Sequence, residues 1–178
     1  MLNRSHVFRI ALIGPESTGK TTLCEKLATH YNTIFNPEYS RNFVESLERK
    51  YSESDVIHCF EKQISLESEL LKRANKILFA DTEAIMSKIW LTDVFKSSSS
   101  LIEQNIREHS YDLYLLTSPD LAFEKDPVRE NPHRREFFFN QYENELRSRN
   151  LNYQIIEGVG LERMENAIKA IDLQFKIN

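Results

Sequence analysis

Gly14-Pro15-Glu16-Ser17-Thr18-Gly19-Lys20-Thr21 follows directly on Val7-Phe8-Arg9-Ile10-Ala11-Leu12-Ile13. The second stretch is short, apolar and rich in β-branched and aromatic residues, which predicts a buried strand. The first has the spacing G-x-x-x-x-G-K-[ST], and from Lys20 to about Tyr31 the apolar residues Leu23 and Leu27 recur at helical spacing. A strand, this loop and then a helix is the context the phosphate-loop mechanism requires. Glycines let the loop curl so that backbone N–H groups point at phosphate oxygens, and the helix adds the positive end of its dipole. Lys20 is expected to reach the β- and γ-phosphates, and the Thr21 hydroxyl to ligate Mg²⁺. Gly14, Glu16, Ser17, Thr18, Gly19 and Thr22 complete the expected ATP-binding loop.

Outward from this loop, strands and helices alternate. Thr33–Phe35 reads as a second strand, stopped by Asn36-Pro37, with helices expected at about 40–48 and from Ser52 onward. The latter opens with Ser52 and Asp55 at capping-box spacing, and its apolar residues Ile57, Phe60, Ile64, Leu71 and Ala74 share one face. Ile77–Ala80, Asp112–Thr117 and Tyr153–Ile156 read as three further strands. Helical segments are expected at about 84–95 and 101–109, and a last helix carries Leu161, Met164, Ile168, Ile171 and Phe175. Such alternation predicts right-handed βαβ units and ligands beyond the carboxyl ends of the strands. The expected fold is an α/β P-loop NTPase. It has a five-stranded parallel sheet with helices on both faces, one domain over residues 1–178, and a lid at about 120–136 as in nucleoside and nucleotide kinases.

Composition narrows the function classes. The chain has 178 residues, with 23 Lys plus Arg against 27 Asp plus Glu, a net charge of −4. That balance lacks the basic footprint of a nucleic-acid binder. No run approaches the ~20 apolar residues of a membrane helix, and the early first strand leaves no room for a signal peptide. Cys24 and Cys59 are too few for a disulfide framework and read as free thiols, so a cytoplasmic setting is expected. The four glycines all fall in two loops, 14–19 and 158–160, each after a strand. Gly158 and Gly160 are therefore expected to offer backbone to the adenine.

Further motifs sit at strand ends. Asp81 closes an apolar strand, as a Walker B aspartate supporting Mg²⁺ does. Asn75-Lys76 is followed by Ile-Leu and Asp81 by Thr-Glu-Ala, so the guanine-reading and switch motifs of a GTPase are missing. Ring-forming motors are disfavoured, since they usually add a helical domain. Glu38, just after the second strand, is a candidate base for deprotonating an acceptor hydroxyl, and Arg41 could fix the acceptor or hold Glu38. Arg129, Arg134 and Arg135 are candidates for supplying charge to the transferring group from the lid, and the residues do not rank the last two.

Gly14–Leu23, Pro37-Glu-Tyr-Ser-Arg41, Phe79-Ala-Asp-Thr82 and the Asp-Pro-x-Arg of the lid together resemble the NadR-like ribosylnicotinamide kinase family, from about residue 7 to 175. The resemblance implies transfer of phosphate from ATP, with Mg²⁺, to the 5′-hydroxyl of nicotinamide riboside, giving nicotinamide mononucleotide and ADP in a bacterial cytoplasm. It implies a small-molecule partner rather than nucleic acid or membrane, and places Thr82 and Glu83 beside the acceptor. Longer members carry an adenylyltransferase and a DNA-binding segment, neither of which is expected here. A cationic nicotinamide ring favours aromatic faces and nearby carboxylates, for which Tyr39, Trp90 and Glu83 are the candidates. Two positions depart from the family: Glu83 stands where aspartate is expected, and Ala84–Trp90 is less polar. Another nucleoside or nucleotide acceptor, or an ATP-dependent switch, are the alternatives.

Overall fold

The computed structural model describes residues 6–124 and 131–176. Five strands form one all-parallel sheet: β1 (Phe8–Ile13), β2 (Ile34–Asn36), β3 (Ile77–Asp81), β4 (Leu113–Thr117) and β5 (Tyr153–Ile156), in spatial order β2-β3-β1-β4-β5. Every residue of β3 and β4 is buried, while the edge strands β2 and β5 are partly open. That distribution follows from covering a parallel sheet on both faces.

Alternation along β1 sorts the two cores. Ile10 and Leu12 join Leu23 and Leu27 of α1 (Lys20–His30) and Ala167 and Ile171 of α7 (Leu161–Phe175). Ala11 and Ile13 face the opposite core, built by α3 (Glu53–Leu70), α4 (Ala84–Trp90), α5 (Ser100–Glu108) and α6 (Arg135–Ser148). A short α2 (Tyr39–Glu45) joins β2 to α3, and one π-helical turn, Leu91–Phe95, continues α4. The chain leaves β1 towards β2 and leaves β4 towards β5, in opposite directions, so a crevice opens between β1 and β4 at their carboxyl ends.

The Ser52–Asp55 capping box forms as its spacing requires, and Arg49 adds a two-pronged pair to Asp55 that holds this carboxyl well below the usual range. Helix α6 is absent from the sequence reading, which runs the lid to 136. Its buried residues Tyr142 and Leu146 are four apart, but three consecutive phenylalanines, Phe137–Phe139, precede them and blur the period. A closed ring of ion pairs then ties three helices: Lys88 to Glu103 (2.9 Å) and Glu145 (2.7 Å), and Arg149 to the same two (2.8 and 2.9 Å). Both cysteines are buried and free, and among the described residues no helix is long and apolar enough to cross a membrane.

A second polar cluster lies beneath the sheet end of α3. Arg9 reaches Glu67 through Nε at 2.7 Å, lies over the Tyr111 ring at 4.3 Å, and shares Glu67 with the Tyr111 hydroxyl at 2.5 Å. Glu67→Leu strands the Arg9 charge and should destabilise the fold by about 3 kcal/mol, seen as a lower urea midpoint. Pairing it with Arg9→Met should recover much of that loss. Additive losses would show that the pair does not act as a unit.

Candidate active site

The loop 14–21 is seated by its first glycine. Gly14 has φ 143°, and a Cβ there would lie 2.4 Å from Thr117 Oγ1 and 2.8 Å from the Thr117 carbonyl oxygen. The Thr18 hydroxyl sits 2.7 Å from that of Thr117 and 2.9 Å from the Pro15 carbonyl oxygen, fully buried. Thr18 therefore anchors the loop to β4 through its hydroxyl, which leaves its main chain as the part of the residue that can face a phosphate. Ser17 lines the cleft, and its hydroxyl accepts from the Glu124 N–H (3.2 Å) and lies 3.3 Å from the Glu124 carbonyl. Glu16 accepts from the Asn131 N–H at 3.0 Å. Lys20 Nζ donates back to the carbonyls of Gly14 (2.9 Å) and Pro15 (2.8 Å), directly above the start of α1. Gly19, the residue before α1, provides no side-chain cap that would compete with an anion for the first-turn N–H groups.

Thr21 and Asp81 meet as expected. The Thr21 hydroxyl donates to Asp81 Oδ2 at 2.5 Å, while Asp81 Oδ1 and Thr82 Oγ1 are buried without a hydrogen-bond partner. Burial, reinforced by the charge of Glu38 and opposed by Lys20, pushes the Asp81 carboxyl up to about 6. A hydroxyl beside a carboxylate with an orphaned oxygen suits a hard divalent cation such as Mg²⁺. Among the described residues no cluster of three His, Cys, Asp or Glu could cage a metal, so water and phosphate would supply its other ligands.

One continuous cleft of ≈ 1340 Å³ joins the loop to the helices on this face of the sheet. Gly14, Glu16, Ser17, Gly19, Lys20, Thr21 and Thr22 line one part of it; Glu38, Arg41, Thr82, Glu83 and Trp90 line another. Glu38 precedes α2 and accepts from the Ser40 hydroxyl at 2.7 Å. Arg41 pairs with Glu45 one turn further along α2, at 3.4 Å. Tyr39 lies outside the cleft lining, with its ring 6.0 Å from Phe43 and 6.1 Å from His58, which corrects its placement as a stacking face. Trp90 does face the cleft, edge-on to Tyr51 at 5.0 Å, with its indole N–H donating to the Tyr51 hydroxyl. Tyr51, Phe95 and Phe138 extend this aromatic wall and were not signalled by any motif.

Glu83 lines the cleft and also has a structural task. It caps α4, accepting from the N–H groups of Ile85 (2.9 Å) and Met86 (3.1 Å), and is 4% exposed. Burial outweighs those two bonds and pushes it up to about 7. The lid arginines also separate. Arg135 donates to the carbonyls of Leu121 (2.8 Å) and Ser17 (3.2 Å), clamping the phosphate loop from outside the cleft lining. Arg134 borders the cleft, forms two bonds to Asp93 (2.7 and 2.6 Å) and covers the rings of Phe137 and Phe138. Arg129 lies outside the described residues. Gly158 is corrected as an adenine contact: its N–H donates to Asp120 (2.8 Å) and its carbonyl accepts from Arg163 (2.8 Å). Arg163, 3% exposed, also reaches the carbonyls of Ile156 and Ser118 and pairs with Asp120, so it locks the loops after β4 and β5 together. Gly160 and Val159 still border the cleft. A lone arginine in a helix carries no sequence signal of such a role.

Residues 9–163 match the family model described as AAA domain. The trifunctional NAD biosynthesis/regulator proteins NadR of Salmonella typhimurium and Escherichia coli are each 29% identical over 126 residues, covering 67% of this chain and 30% of the relative. The chain thus spans about half or less of these relatives' length. The solved structure of NadR protein in complex with NR superposes with a TM-score of 0.85 at 25% identity, covering 97% of this chain and 52% of that one. Thymidylate kinase from Ehrlichia chaffeensis shares the fold, with a TM-score of 0.61 at 14% identity over 95% of this chain and 99% of its own. With its phosphate loop, its five parallel strands and these relatives, the chain belongs to the AAA domain family as a NadR-like P-loop protein.

Proposed function

We propose that this chain is an ATP-dependent kinase whose acceptor is the 5′-hydroxyl of nicotinamide riboside. The observation that carries the reading is the shared cleft: Lys20, Thr21 and Glu38 line the same space as an aromatic wall of Tyr51, Trp90, Phe95 and Phe138. A flat ring held on that wall would have its attached ribose in the same cleft as Glu38. Support also comes from the relatives, whose printed names place NadR in NAD biosynthesis and in complex with NR.

In this reading the loop N–H groups and the start of α1 hold the ATP phosphates. Lys20 leaves the Gly14 and Pro15 carbonyls for the phosphate oxygens as ATP enters. Thr21 and Asp81 would hold Mg²⁺, which when bound offsets negative charge on the phosphates. Glu38 takes the proton from the acceptor hydroxyl as its oxygen attacks the γ-phosphorus, and the bond from that phosphorus to the β–γ bridging oxygen breaks to release ADP. Arg135 and the Ser17–Glu124 contact keep the loop closed against water.

A second reading, another nucleoside as acceptor, is favoured by one observation. Two carboxylates of the cleft lining are already engaged, Glu83 by the α4 cap and Asp93 by Arg134. A cationic ring would then find aromatic faces but no unshared carboxylate among these two.

ADP release from Mg-ATP should be stimulated by nicotinamide riboside above the common nucleosides and nucleoside monophosphates. Stimulation by a different nucleoside alone would select the second reading, and slow hydrolysis with no acceptor effect would point to an ATP-dependent switch. Glu38→Gln should leave ATP binding within a few-fold and cut acceptor-dependent turnover by about 10²-fold or more; an unchanged rate removes Glu38 as the base. Lys20→Ala should weaken ATP binding and lower the rate by about 10²-fold as well. Asp81→Asn should raise the Mg²⁺ concentration needed for half-maximal rate, and an unmoved Mg²⁺ titration would exclude its metal role.

A further inference from the structure

Gln63 sits in the middle of α3, 7% exposed, at the edge of the cleft. Its side-chain amide bonds to nothing in its own helix. The Oε1 atom accepts from the Tyr39 N–H at 2.9 Å, and Nε2 donates to the carbonyls of Pro37 (3.1 Å) and Asp81 (3.3 Å). The Gln63 main-chain carbonyl accepts from Asn36 Nδ2 at 3.0 Å. The residues on either side of Glu38 are therefore held by one buried amide, and that amide also grips the backbone of Asp81.

We propose that Gln63 is a positioning residue for phosphoryl transfer, fixing Glu38 at a set place relative to Asp81. This rests on the reading of Glu38 as the base. Glu38 stands between an edge strand and a seven-residue helix, where its own elements constrain it weakly. The charge of Glu38 also acts on Asp81, and like charges at the carboxyl ends of two neighbouring strands drive each other apart. A base must stay within hydrogen-bond reach of its proton, and misplacement by about 1 Å can cost on the order of 10²-fold in rate. The clamp needs an acceptor for Tyr39 and two donors for Pro37 and Asp81 on one rigid group. Among side chains of this length only an amide supplies both. An ionised glutamate cannot donate, and a methionine of similar shape offers neither function at useful strength.

The test is a double-mutant cycle on the full chain, after the wild type's acceptor-dependent turnover has been established. Gln63→Met should lower kcat by about 10- to 100-fold while KM for ATP stays within about threefold. In the Glu38→Gln background the same change should alter the residual rate by less than about threefold, because the group being positioned is already gone. Gln63→Leu removes the acceptor and the donors without adding a charge, so it carries the same cycle where Gln63→Met does not give folded protein. Melting temperatures of each variant separate a folding loss from a rate loss. An equal fall in both backgrounds, or no fall in the wild-type background, overturns the positioning role. A wild type with no acceptor-dependent turnover overturns the kinase reading itself, and a Glu38→Gln variant with full activity overturns the base assignment on which the clamp depends.

Discussion

Between the first glycine of the phosphate loop and the last residue of β4 there is no room for a methyl group. Gly14 meets Thr117 so closely that any Cβ would fall inside the contact distance of both its hydroxyl and its carbonyl oxygen. Thr18 reaches the same hydroxyl from the far side of the loop, so one residue of a neighbouring strand sets where the loop begins and how it closes. The position of Lys20, the direction of α1 and the meeting of Thr21 with Asp81 all inherit that placement. Because β1 and β4 flank the point where the chain's path reverses, a contact between their ends is also what holds the crevice to a fixed width. Phosphate binding here depends on backbone geometry more than on any side chain facing the ligand.

The charges in the cleft are arranged at a cost that a bound ligand can offset. Asp81 is fully buried with one oxygen unpaired, and Glu38 adds like charge to the same region. Lys20 opposes this with its positive charge on Asp81 while its Nζ donates to two loop carbonyls. Under the proposed function, phosphates and a divalent cation arriving together would offset that cost. On the opposite side, the groups that hold the cleft's shape are already satisfied. Asp120, Gly158 and Arg163 close one end, Asp93 and Arg134 the other, and Gln63 holds the backbone beneath the two carboxylates.

Much of the fold was legible because its signals are local. Each strand is a short apolar run ended by Gly, Pro or Asp, and the phosphate loop is read from spacing alone. Asn36 shows the limit of a local stop signal: it was expected to end the second strand, yet it is buried as the last strand residue and bonds to Gln63. Helix α6 was missed because Phe137–Phe139 place large apolar groups on three successive positions, of which a helix can bury only some. On the site side, the motif correctly located the loop but could not tell main-chain from side-chain roles. Ser17 and Thr18 fall on unspecified positions of the pattern, unlike Thr21, and only the tertiary contacts to Glu124 and Thr117 show where their hydroxyls go. Tyr39 and Trp90 were equivalent aromatic candidates; the difference is that α2 presents Tyr39 to His58 while α4 presents Trp90 to the cleft. Gln63 and Arg163 act through carbonyls of distant segments, and no spacing in the chain encodes that.

Glu83 shows how a small departure in sequence can relocate recognition. Its carboxylate spans the turn to the N–H groups of Ile85 and Met86, bonding one with each oxygen. A cap that engages both oxygens stiffens the start of α4, and α4 is the element that carries Trp90. The cost is that a buried carboxylate beside the cleft is no longer a free partner for a ligand, and its burial raises its proton affinity towards neutrality. Under the proposed function, recognition of a ring in this cleft would fall to surfaces rather than charges: the Trp90–Tyr51 pair, Phe95 and Phe138, and an Asp93–Arg134 pair whose charges offset each other. A wall of that kind selects for flatness and size before it selects for charge, so in the proposed kinase the balance between cationic and neutral rings would rest on how firmly Arg134 holds Asp93.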